Sequence, residues 1–112
     1  MTTELLSDVL GYRVTSFEYE QFTKQHGNNI NFVTNANGIA DEEDFINLDE
    51  LTQCMKVWAA PKCSSLSIKY HTNKPKHTSP ACVKVWINGK AFSAPTEPEA
   101  VDLACQWILE NQ

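Results

Sequence analysis

Leu5, Leu6, Val9 and Leu10 recur at helical spacing, so residues 3–10 read as a short helix, with Thr2 or Thr3 as its cap and Gly11 as its stop. Tyr12 and Val14 then alternate with Arg13 and Thr15, the period of a strand reaching Phe17. From Glu18 to His26 two continuations are open. The strand runs on, or Thr15-Ser16-Phe17-Glu18 forms a capping box that opens a helix ending at Gly27. Ile30 to Thr34 is a second short strand, and Asn35-Ala36-Asn37-Gly38 is a turn signature leading into the acidic run Asp41-Glu42-Glu43-Asp44. Asn47, three residues before Glu50, caps a helix that runs to about Ala60. Its apolar face is Leu51, Cys54, Met55 and Trp58, and Pro61 stops it.

The second half alternates more cleanly. Leu66, Ile68 and Tyr70 interleave with Ser65, Ser67 and Lys69, the pattern of a half-buried strand. A loop follows from His71 to Pro80, and Val83, Val85 and Ile87 then alternate up to Asn88-Gly89, the positive-φ pair that a tight hairpin needs. Lys90 to Ala94 returns as the third strand of a meander. Thr96-Glu97-Pro98-Glu99 is a capping box with proline in the first turn, and the helix it opens carries Ala100, Leu103, Ala104, Trp107 and Ile108 on one stripe. The expected class is therefore α+β. The C-terminal three-stranded meander and one or two N-terminal strands form an antiparallel sheet packed by about three helices in a single domain, residues 1–112.

Composition narrows the function classes. The 112 residues are 42% hydrophobic and 21% charged, ordinary values for a globular domain. There is no run of apolar residues long enough to span a bilayer, and the first eight residues lack a signal peptide's basic start, so the expected setting is cytoplasmic. The net charge of −5 is segregated: residues 1–50 carry ten acids against two bases, residues 51–90 seven lysines and no acid, and residues 91–112 four acids and no base. Arg13 is the only arginine, which weighs against sequence-specific DNA reading.

Four cysteines, at 54, 63, 82 and 105, show no C-x-x-C spacing and read as free structural thiols. Cys63, His71, His77 and Cys82 bracket one loop and are chemically a zinc set, but their spacing matches no compact finger. No metal and no cofactor is expected. A cysteine–histidine nucleophile and paired carboxylates are formally available, but no local pattern brings them together and a chain this small has little room for a substrate cavity, so the expectation is a protein that is not an enzyme.

Two surfaces remain as candidates for binding. Asp41, Glu42, Glu43 and Asp44, with Asp49 and Glu50, form either a solvated loop running into a helix start or a line of carboxylates that imitates the phosphates of a nucleic acid and occupies a basic groove on a partner protein. Lys69, His71, Lys74, Lys76 and His77 form a basic loop able to contact phosphate.

The ending, Val83–Ile87, a turn, a short strand and then Ala94-Pro95-Thr96-Glu97-Pro98-Glu99-Ala100-Val101 with Leu103-Ala104-Cys105, resembles the phage ABA sandwich domain family. The opening Leu5-Leu6-Ser7-Asp8-Val9-Leu10-Gly11-Tyr12-Arg13-Val14 and the Phe45-Ile46-Asn47 entry to the central helix are similar to that family's start and middle. Residues 15–40 and the lysine- and histidine-bearing loop depart from it. The resemblance implies helices packed on a sheet and a viral origin, and it transfers no catalytic residue. The leading expectation is a phage- or prophage-encoded accessory protein that binds and inhibits a host protein or nucleoprotein complex, as an anti-CRISPR does. The alternatives are a nucleic-acid-binding module using the 69–77 loop, broadly similar to double-stranded RNA-binding domains, and an assembly role as a homo-oligomer through Trp86 or Phe92.

Overall fold

A computed structural model describes residues 1–21, 28–35, 38–71 and 82–111, the side chains of Glu20, Gln21, Tyr70, His71 and Cys82 excepted. Among the described residues, three α-helices and two three-stranded antiparallel sheets make an α+β chain. The chain divides into two compact units, Met1–Cys54 and Met55–Gln112.

In the first unit, α1 (Thr3–Leu10) is capped by Thr2, whose hydroxyl accepts from the Leu5 N–H at 3.1 Å. It ends at Gly11, whose N–H still donates to the Ser7 carbonyl at 2.9 Å and whose φ of 80° then turns the chain out of the helix. Leu5 and Leu6 are buried and α1 packs on β1 (Val14–Gln21). Ser7 ties the two together: its hydroxyl accepts from the Val14 N–H at 2.9 Å and donates to the Thr3 carbonyl at 2.7 Å.

β1 pairs with β2 (Asn28–Thr34), which pairs with β3 (Glu42–Asn47), so β2 is the central strand. The open question after Phe17 resolves as strand: β1 continues through Glu18 to Gln21, while residues 22–27 lie outside the described part. The acidic segment, expected as loop, is the edge strand β3. Its three acids precede Phe45 and Ile46, and the ladder to β2 provides partners that the local sequence does not reveal. Among the described residues the N-terminal strands thus number three and form a sheet of their own.

α2 (Leu48–Ala59) begins where Asn47 accepts from the Asp49 N–H at 2.9 Å, and the boundary between the units falls inside it. Leu51, Met55 and Ala59 are buried, as the helical spacing predicts for the first two, whereas Cys54 and Trp58 are half-buried. The chain then tightens into a 3₁₀ turn, Ala60–Lys62, around Pro61.

In the second unit, β4 (Leu66–His71), β5 (Cys82–Ile87) and β6 (Lys90–Ala94) form the expected meander. α3 (Glu97–Glu110), capped by the Thr96 hydroxyl, packs on β5 and β6. Its buried stripe is Ala100, Val101, Ala104, Cys105 and Ile108. The stripe lies one residue round from the expected one, so Leu103 is 47% exposed, and half-buried Trp107 stacks obliquely on Phe92 at 6.2 Å between ring centroids. Lys56 and Glu97 form an ion pair between α2 and α3.

The β5–β6 turn has Asn88 at φ 52° and Gly89 at φ 85°. The Asn88 amide oxygen also accepts from the Ser64 N–H at 2.8 Å, the Ser64 hydroxyl at 2.7 Å and the Ser65 N–H at 3.3 Å, which fastens the start of β4 to this turn. Asn88→Gly keeps the backbone conformation and deletes these bonds. It should lower stability by about 1–2 kcal/mol in urea denaturation, with an unchanged m-value.

Candidate functional site

Residues directly opposite one another in an antiparallel ladder share a face of the sheet. The register therefore sorts the first sheet into two rows of side chains. One face carries Val14, Ile30, Phe32 and Thr34, all buried, with Phe17, Ile46, Glu42 and Asp44 in register beside them. The other carries Ser16, Glu18, Asn31, Val33, Glu43 and Phe45. On this second face Ser16, Glu18 and Glu43 are exposed and Phe45 is 65% exposed. These side chains and the backbone between them line a concave groove of about 530 Å³.

The bulge at Thr15 makes this arrangement possible. Val14 opposes Thr34, and the next paired residue is Ser16, opposite Val33. Thr15 is the extra residue, and its hydroxyl donates to the Val33 carbonyl at 3.2 Å.

The expected line of carboxylates is split by the strand period. Glu43 faces the groove, whereas Glu42 and Asp44 lie on the opposite face. Asp44 accepts from the Phe45 N–H at 2.8 Å, and Asp41, just before β3, accepts from the Asn35 side-chain amide at 2.8 Å. Asp49 and Glu50 are exposed in the first turn of α2. On the packed face Tyr12 lies with its ring 6.2 Å from that of Phe32, and its phenol is held above its ordinary range by burial first, then by Asp44 and by Cys54.

Glu18, Ser16, Asn31, Val33 and Phe45 were not legible as site residues. Glu18 sits 25 positions from Glu43 and reaches the same face only through the β1–β2–β3 register. An aromatic residue directly after the acid run was the one available signal.

Of the basic loop, Lys69 lies on β4 and the backbone of His71 ends that strand, while Lys74, Lys76 and His77 lie outside the described residues. Lys69 belongs to the face of the second sheet turned away from Val83, Val85 and Ile87. That face carries Ser67, Lys69, Lys84, Trp86, Ala91 and Ser93 in register. The Lys69 ammonium lies 5.5 Å from the Trp86 ring centroid. Trp86 and Phe92, expected as exposed aromatics, are both half-buried, and Phe92 is on the α3 side. Of the Cys63, His71, His77 and Cys82 set, only the Cys63 side chain is described, and its thiol donates to the Ala59 carbonyl at 3.3 Å.

Among the described residues no helix is long and apolar enough to cross a membrane. Compared with models of protein families, with curated proteins and with solved structures, the chain matches none.

Proposed function

We propose that this chain is a small binding protein without catalytic activity, whose open acidic sheet face docks onto a cationic protein surface. The observation that carries the reading is the groove on the first sheet, where exposed Glu18 and Glu43 flank an aromatic side chain, Phe45, that is 65% exposed. An apolar anchor rimmed by like charges is the anatomy of a recognition patch: burial of the ring supplies affinity, and the carboxylates select a basic partner and speed the encounter. A groove that holds nucleic acid on a host nuclease complex is such a partner. The resemblance to the phage ABA sandwich family adds the finer reading of a phage-encoded inhibitor of host defence.

Tagged protein should capture a basic host protein from bacterial lysate, with recovery unaffected by nuclease. The triple variant Glu18→Gln, Glu43→Gln, Phe45→Ala should lose at least about tenfold in affinity while keeping its far-UV circular dichroism, because all three side chains are solvent-facing. Undiminished capture by this variant would overturn the reading. Recovery that vanishes with nuclease would transfer it to the basic loop.

A further inference from the structure

The second sheet presents a face opposite in sign to the groove. Lys69 and Lys84 are directly opposed across β4 and β5, an arrangement that is destabilising for like charges. No carboxylate among the described residues forms an ion pair with either of them. Lys69 is exposed, Lys84 and Trp86 are half-buried, and the small side chains Ser67, Ala91 and Ser93 leave the face open around them. The Lys69 ammonium already lies 5.5 Å from the Trp86 ring centroid, yet the opposed lysines still gain from an external partner that brings negative charge to the two ammonium groups and an apolar group beside the indole.

The same chain carries that partner. The groove of the first sheet offers Glu18 and Glu43 for the lysines and Phe45 for Trp86. We propose that the acidic groove of one molecule docks on the lysine–tryptophan face of a second copy. A free polyanion is the weaker candidate, because a net charge of −5 repels it and the described basic face holds no arginine. The two patches differ, so the contact is heterologous: each molecule donates one face and accepts at the other. The inference rests on the proposed binding role of the acidic groove, and self-association then covers the groove and competes with the cationic partner.

The test needs no partner and uses the full chain in sedimentation velocity. Wild-type protein should show a concentration-dependent shift from monomer, weakened about tenfold between ~0.1 M and ~0.5 M NaCl as screening shortens the reach of the charges. Glu18→Lys with Glu43→Lys makes both faces positive, and Lys69→Glu with Lys84→Glu makes both negative. Each variant alone should remain monomeric, and an equimolar mixture of the two should associate. A wild-type chain that stays monomeric at every concentration overturns the proposal, as does association by either variant alone. If a variant misfolds by circular dichroism, the salt series on wild type decides: association insensitive to salt refutes the charge pairing. Assembly that appears only when a single-stranded oligonucleotide is added also overturns it, in favour of a polyanion site. Loss of lysate capture with self-association intact would remove the cationic partner and leave this inference standing.

Discussion

Phe32→Ala should cost about 3–5 kcal/mol of stability, a large share of the roughly 5–15 kcal/mol that holds a domain of this size together. Phe32 is 3% exposed and occupies the middle of the central strand, with Phe17 and Asp44 in register on either side and the Tyr12 ring at 6.2 Å. Truncation there removes a large transfer term and opens a cavity that flanking strands, fixed by their hydrogen bonds, cannot close. Urea denaturation followed by circular dichroism gives the magnitude. A local readout accompanies it: burial is the largest cause of the raised Tyr12 phenol, so that phenol should titrate closer to its ordinary value near 10 in whatever folded variant persists. The groove residues Asn31 and Val33 flank Phe32 along β2, so binding should fail with it, whereas the Glu18→Gln, Glu43→Gln, Phe45→Ala variant should lose binding and keep its stability. A cost below about 1 kcal/mol for Phe32→Ala would show that the packed face of this sheet is loose.

Alkaline pH should destabilise the second unit through Cys105. This thiol is 1% exposed, its Sγ–H donates to the Met55 carbonyl at 3.7 Å, and burial, then Asp102 and Cys63, push it up from 9.0 to about 12. The unfolded chain therefore releases the proton first. Below about pH 9 both states keep it and the contribution to stability is complete. As pH rises toward 12 the unfolded state is increasingly favoured, by about 1.4 kcal/mol for each pH unit. The full loss is roughly 4 kcal/mol near pH 12. Urea midpoints of wild type and Cys105→Ala across this window isolate the effect from the other alkaline groups: the wild-type curve should fall more steeply, and parallel curves would sink the assignment. At neutral pH, alkylation with mass-spectrometric mapping should modify half-buried Cys54 and Cys63 well before Cys105.

The elements closed by local chemistry were legible in the sequence. Thr2 and Gly11 bound α1, Asn88-Gly89 makes the hairpin, and Thr96 caps α3, because a cap or a turn depends on residues only a few positions apart. β3 was not legible. Glu42, Glu43 and Asp44 have poor strand propensity, and what makes them a strand is a ladder to Thr34, Val33 and Phe32, which lie about ten residues away. As an edge strand, β3 tolerates and even favours charges that deter pairing with other chains, so the same acids that signal a loop are well suited to a sheet margin. The groove inherits that difficulty. Its carboxylates come from two strands, and their common face follows from register, which one-dimensional spacing does not encode. The shifted stripe of α3 has a milder cause: Leu103 is apolar enough to be assigned inward, while the small residues Ala100, Ala104 and Cys105 let the helix approach the sheet on the neighbouring arc.

The extra residue at Thr15 separates two inheritances along one strand. Upstream of it, Val14 answers to Ser7 and α1; downstream, Ser16 and Glu18 answer to the groove. In an unbroken ladder, a one-residue insertion or deletion between helix and strand would turn every later side chain over, trading Glu18 for Phe17 at the surface. A bulge absorbs such a slip at a single position and leaves the outward face in phase. Length changes in the α1–β1 connection are thus compatible with an unchanged outward row of side chains on this sheet.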